Sequence, residues 1–315
     1  MSVSNPLSTA TAIENVRHAS SAQRMKEKGI RFVCMLCALL SVGTTIGIVF
    51  TLAGEAIQFF RRVPFGDFIT GTEWTPLIKP ESYGVLPLLN GTLIIMIGSA
   101  LIATPLGVLA AIYLSEYASP RARNIIKPIL EILAGIPTVV YGYFAIMFVT
   151  PLLRNIFGRN DVDIFNGAAG FIVVGIMVLP LICSLCEDSL RAVPRQLREG
   201  AYGLGSTKVE VTAKIVVPAA LSGIMAAIIL ALSRAVGETM AVTLAAGNEP
   251  RMTANPLQGI QTMTAYIVQV SQGDTPANST PYYTLYAVGL TLFVITLAFN
   301  LGAKMLVRKF RQVYN

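Results

Sequence analysis

Arg234 and Glu238 stand four residues apart in a run that is otherwise uncharged from position 215 to 246. A charge at the centre of a bilayer costs roughly 2.5–3.5 kcal/mol even on insertion scales, so two in one apolar run are expected to face a protein interior or a water-filled path. At i, i+4 they share a helix face and can pair with each other. Two readings fit. In one, the pair is a buried structural salt bridge. In the other, Arg234 is an anion relay, because a guanidinium presents a planar fork of donors that matches phosphate or sulfate oxygens. Glu238 would then hold the Arg side chain and weaken its grip, since a pore site must also release. No nucleophile with a base and no His/Asp/Glu cluster of metal spacing lies at this depth, so neither a catalytic residue nor a metal site is expected.

The second constellation is the charged loop 187–214, lodged between two apolar runs. Pro194 suits the start of a short helix and Gly203 with Gly205 supply its stop, giving a helix from 194 to about 204. Thr207 stands three residues before Glu210, a capping box that opens a second helix running through Val209, Ala213 and Val216 toward Pro218. Two short helices on a glycine hinge make a rigid knob. On these signals alone, a well-capped surface loop fits equally well.

The elements that carry these residues are membrane spans. Of the residues, 54% are hydrophobic and 13% charged, about half the charged share of a soluble domain, and the mean hydropathy is +0.63. Six stretches reach the roughly 20 residues a bilayer needs: 32–54, 85–114, 125–153, 168–186, 215–246 and 282–306. The first has no cleavable-signal character and reads as a retained anchor, giving a polar tail 1–31, an anchor with its external loop 32–84, a five-helix core 85–306 and a tail 307–315.

Six spans put both termini on one side. Seventeen Lys and Arg lie on the side of the tails and the 187–214 loop, against six on the other, which assigns the former to the cytoplasm. The net charge of +7 is thus a topology signal, and no nucleic acid is expected as a partner. The 1–21 segment reads as disordered and His18 as solvated. Cys34/Cys37 and Cys183/Cys186 fall inside apolar helices, where small packing residues are the plainer account than a metal bridge. Lys127 and Glu131 are expected to form an interfacial ion pair. In the third span Gly135, Pro137 and Gly142 allow a bend and close helix approach, as part of a gate or as packing.

Glu199-Gly200-Ala201, then Gly205, Ile215, Val217 and Pro218, resembles the cytoplasmic loop E-A-A-x3-G-x9-I-x-L-P of binding-protein-dependent ABC importer permeases, with Gly200 and Val217 departing from it. Segments 133–142 (LAGIPTVVYG) and 233–242 (SRAVGETMAV) are similar to those of the phosphate-specific importer permeases. That resemblance implies an all-α, six-helix membrane protein of the type I (MetI-like) permease fold in a bacterial inner membrane. It implies that the loop, through Glu199 to Gly205 with Ile215 and Pro218, fits a cleft on an ATPase subunit. It also implies a second, homologous permease, two ATP-binding subunits and an extracytoplasmic phosphate-binding protein as partners. No nucleotide-cradling G-x-x-x-x-G-K-[ST] is present, so no cofactor is expected on this chain and ATP is expected on the partners. A sulfate or molybdate permease is the near alternative, and an ion-driven anion carrier or channel is the alternative of a different class.

Overall fold

Prolines and capping residues decide where the apolar runs become helices. The computed structural model describes residues 21–273 and 275–310; the tail reading of 1–20, with Arg17 and His18, and Arg311 lie outside them. Its helices are α1 (Ser21–Phe60), α2 (Phe65–Thr70), α3 (Leu86–Ile112), α4 (Pro120–Gly135), α5 (Thr138–Phe144), α6 (Thr150–Phe157), α7 (Gly167–Arg191), α8 (Arg195–Gly203), α9 (Lys208–Val211), α10 (Val217–Val236), α11 (Met240–Ala246), α12 (Met263–Gln272) and α13 (Thr280–Phe310). Among the described residues there is no strand, only a single bridge between Trp74 and Tyr83.

Six helical stretches are long and apolar enough to cross a membrane: Lys26–Phe60, Leu86–Tyr117, Thr138–Phe157, Gly167–Arg191, Lys208–Val236 and Thr280–Met305. The chain divides at Gly54 into two units. In the first, α1 exposes Phe32, Leu36, Leu39, Leu40 and Phe50, as a lipid-facing anchor should.

In the second unit α3 and α7 pack along their lengths, and α10 lies against both. The seam holds small residues, Ala103, Ala111, Ala227, Ala231 and Ala235, all buried. Lipid gives helices no hydrophobic reason to associate, so close van der Waals approach through small side chains takes its place. Cys183 and Cys186 are buried in this core. Asn166 starts α7 by accepting from the Ala169 N–H at 2.7 Å, and its amide donates to Thr150 Oγ1 and the Asp163 carbonyl, each at 3.1 Å.

Two of the expected spans are broken. The run 125–153 splits at Gly135-Ile136-Pro137, because a residue before proline is driven from helical to extended backbone, and Ile136 sits at φ −67°, ψ 131°. What precedes the break is α4, an amphipathic helix capped by Ser119 with Pro120 in its first turn. It buries no residue fully, resting Ile126 and Leu130 on the core while Ile125, Ile129 and Ile132 point outward. The crossing stretch therefore begins at Thr138, and Pro137 divides two helices where a bend within one was expected. The run 215–246 likewise stops at Val236, and α11 resumes at Met240.

Prolines also leave wide turns. Ala145–Val149 and Thr212–Val216 are π-helical, each two residues before a proline, Pro151 and Pro218. A proline cannot donate and its ring crowds the carbonyl four residues back; a widened turn relieves both. Through the second of these turns α9 runs directly into α10.

At the end opposite the 187–214 loop, segment 55–84 is more than a polar connection. Phe59, Phe68 and Trp74 are buried with Tyr266 and Tyr283 in a second core, with the Trp74 and Tyr266 rings edge to face at 4.9 Å. Burial, together with the Glu81 carboxylate to which it donates, pushes the Tyr83 phenol above its ordinary value.

Gly142 on α5 faces α11, where a Cβ would lie 2.8 Å from Leu244 Cβ, whereas nothing lies within 4 Å of a Cβ at Gly135. Gly142→Val is expected to cost about 1–3 kcal/mol by overpacking, read as a lower Tm of the purified protein in detergent, while Gly135→Ala leaves the Tm unchanged or slightly raised.

Candidate functional site

The 187–214 loop folds as its capping residues direct. Pro194 precedes α8 as its N-cap residue, one position earlier than a first-turn proline. At the other end the Ser206 N–H donates to the Ala201 carbonyl (3.2 Å) and the Gly205 N–H to the Tyr202 carbonyl (2.9 Å), a Schellman closure with Gly205 at φ +82°. Thr207 and Glu210 form the expected capping box: the Glu210 carboxylate accepts from the Thr207 N–H at 3.0 Å and Thr207 Oγ1 accepts from the Glu210 N–H at 3.4 Å.

Among the loop residues singled out by spacing, Ala201 points inward and is buried. Glu199, Gly200, Gly205 and Pro218 are exposed, and Ile215 is half-buried. The tip is apolar and bare, with Leu204 at 89% exposure beside exposed Tyr202 and Val209. An exposed cluster of this kind marks a contact surface.

What fastens the loop to the bundle is a residue the spacing did not reveal. Arg198 donates to the Leu190 and Val193 carbonyls, both at 2.8 Å, and pairs with Glu116 at 3.0 Å. Leu190 is in the last turn of α7 and Val193 two residues past its end, where carbonyls are short of intrahelical donors, so a guanidinium there closes the helix and bolts α8 to it. Glu116 lies in the π-helical turn Tyr113–Tyr117 that ends α3, so one side chain joins three elements.

A second unforeseen residue lies one turn before the end of α7. Glu187 is 1% exposed and meets three cations: Arg123 of α4 in direct contact, Arg191 at 3.4 Å and Lys127 of α4 at 3.5 Å. The expected Lys127–Glu131 pair is thus replaced. Among the described residues Lys127 pairs with Glu187, and Glu131 makes no ion pair. Only the Arg191 spacing at i, i+4 could have pointed to Glu187 from the sequence, since the α4 partners are about sixty positions away.

Arg234 and Glu238 are also apart. Helix α10 ends between them, so the shared face that i, i+4 implies is lost, and no ion pair joins them. Glu238 is buried and works on the break: its Oε1 accepts from the Ala241 N–H at 3.2 Å, and its carbonyl accepts from Thr264 Oγ1 at 2.8 Å. Arg234 is exposed on the surface of this chain. It lines a cavity of about 220 Å³ together with Lys127, Glu131 and Glu187, walled by Leu114, Leu130 and Met177. Next to it on α10, Ser233 donates to Ile229 and to Asn300 of α13. A cationic group in an apolar span, open to a small charged cavity, can hold an anion.

Comparison with known proteins identifies the family and the fold. Residues 103–312 match the family described as binding-protein-dependent transport system inner membrane component. A probable ABC transporter permease protein of Bacillus subtilis, YqgH, is 34% identical over 273 residues, covering 86% of this chain and 87% of that one. The phosphate transport system permease protein PstC of Mesorhizobium japonicum is 35% identical over 275 residues, covering 79% of this chain and 82% of its own. Among solved structures, a bacterial importer of the acidic polysaccharide alginate superposes with a TM-score of 0.61 at 17% identity, covering 91% of this chain and 100% of that one. The inward-facing MetNI methionine ABC transporter gives 0.54 at 21% identity, covering 73% and 95%. At those identities the structures speak for the fold alone, and they bear out the all-α type I permease architecture. The family is one of transport subunits, which are not enzymes. This multi-pass membrane chain belongs to the binding-protein-dependent ABC importer permeases.

Proposed function

We propose that this chain is the permease subunit of an ATP-driven phosphate importer in a bacterial inner membrane, with both termini and the 187–214 loop in the cytoplasm. It forms half of the translocation path beside a second, homologous permease. An extracytoplasmic binding protein delivers phosphate, and two ATP-binding subunits, one of them seated on the loop through Glu199 to Gly205, drive the pair between outward and inward access. ATP stays on those subunits, and this chain holds no cofactor.

The observation that carries the reading is Arg234, a guanidinium within a span that is exposed on this chain and left without a carboxylate partner among the described residues. A structural arginine in hydrocarbon would be paired. A free fork of donors suits a tetrahedral oxyanion, and the Mesorhizobium relative is named for phosphate. The orientation is supported by the excess of Lys and Arg on the loop side. Docking of an ATPase is supported by the bare apolar tip at Leu204 and by the absence of any contact to a Cβ at Gly200, Gly203 or Gly205. The break at Gly135 to Pro137, with Gly142 packed on α11, is the proposed hinge of the gate.

In proteoliposomes containing the whole complex, Arg234→Gln is expected to abolish uptake of labelled phosphate while the subunits still co-isolate; full uptake would reduce Arg234 to scaffolding. Labelled sulfate and molybdate in the same vesicles decide the oxyanion, and uptake by this chain without its ATPases would favour an ion-driven carrier. Because Gly205 is required for its positive φ and not for space, Gly205→Asn should transport nearly as the wild type and Gly205→Val should hydrolyse ATP with little uptake. Arg198→Ala, which frees α8 from α7, should also lower the phosphate carried per ATP hydrolysed, measured by parallel uptake and phosphate-release assays.

A further inference from the structure

We propose that the cavity bounded by α3, α4, α7 and α10 is a second anion-binding stage, in which Lys127 takes the anion from Arg234 and hands it on toward the 187–214 loop end. This rests on the reading of Arg234 as an anion contact.

The argument starts from charge. One buried carboxylate, Glu187, faces three cations, Arg123, Lys127 and Arg191, and with Glu131 of the same cavity counted the group still carries one positive charge in excess. The three are not equally held. Arg123 touches the carboxylate, while Arg191 Nε at 3.4 Å and Lys127 Nζ at 3.5 Å stand off, with side chains 47% and 35% exposed. Departure of Lys127 would leave Glu187 still doubly paired, so the usual penalty of an orphaned buried charge does not arise. An ammonium on a flexible four-carbon stem is suited to such a swing, and of the two looser cations Lys127 is the one that lines the cavity.

Position completes the case. Lys127 and Arg234 line the same space of about 220 Å³, whose walls include Leu114, Leu130 and Met177. In a site with apolar walls a charge pair is stronger than in water, so an anion leaving Arg234 is drawn to the nearest surplus cation. Glu131, one turn beyond Lys127 on α4 and without an ion pair among the described residues, lines the same cavity. Its carboxylate competes with the anion for Lys127 and keeps the hold weak enough for passage.

The test uses the assembled complex in proteoliposomes with its binding protein, labelled phosphate as the probe, and Lys127→Gln, Lys127→Arg and Arg234→Gln in parallel. Loss of one charge-assisted contact predicts uptake about tenfold slower in Lys127→Gln, with the complex still assembled, and recovery to near the wild-type rate in Lys127→Arg. Wild-type uptake in Lys127→Gln overturns the second stage, as does equal failure of Lys127→Gln and Lys127→Arg accompanied by loss of assembly, which would make Lys127 a tie between helices. If Arg234→Gln is inactive and Lys127→Gln is normal, this stage alone fails. If Arg234→Gln transports normally, the reading beneath it fails.

Discussion

A backbone surrounded by hydrocarbon has no water to satisfy its amides, so every interruption of a helix must be closed by the protein itself. This chain breaks two of its apolar runs at the ends of its spans, and at each break a side chain reaches across the gap. At the first break the Tyr141 hydroxyl donates to the Leu133 carbonyl at 2.8 Å, spanning Gly135 to Pro137. At the second, Glu238 accepts from the Ala241 N–H while Thr264 donates to the Glu238 carbonyl. The two resumed half-helices, α5 and α11, then pack on each other where Gly142 meets Leu244. The closure of the breaks and the contact between their downstream halves are one construction, and Arg234 sits at its edge.

Glu238 gains a meaning from this that its spacing did not suggest. Its carboxylate serves the first turn of α11, in the break that follows the end of α10 just after Arg234. Freed from a carboxylate neighbour, the guanidinium keeps its full donor set. At the other end of the same region Glu187 gathers α4 onto α7, so that the amphipathic helix before the first break is anchored by charge although it buries no residue fully. Arg198 does for α8 what Glu187 does for α4. Both use one polar side chain on several partners near the end of α7, where free backbone acceptors and the negative end of the helix dipole favour the cations: Arg198 directly, and the three that surround Glu187.

Much of this was legible in the sequence because it is local. Thr207 and Glu210 announce their capping box in four residues, Gly205 its helix stop, and hydropathy the six crossings. The loop spacing from Glu199 to Pro218 led to the right family. The breaks are hidden from the sequence for a physical reason: the Gly135 to Pro137 and Gly237 to Thr239 segments are short and apolar enough on both sides that a hydropathy run passes straight through them. Pro137 marks the place, but whether it bends a helix or ends one depends on what lies across the gap, here Tyr141. The ion pairs were hidden for another reason. Arg198 finds Glu116 across 82 positions, and no local pattern encodes a partner that far away. Spacing offered Lys127 its neighbour Glu131, while the fold offered it the deeper carboxylate of Glu187.

The widened turn before Pro218 has a mechanical consequence. Because α9 flows through it into α10, the capped tip at Thr207 and the end of the span at Val236 belong to a single stiff rod of 29 residues, roughly 43 Å at the usual helical rise. A rod of that length is a lever arm, with Pro218 near its loop end. A small tilt imposed at the loop end of such a rod would become a larger sideways excursion at the far tip, beside which Arg234 stands.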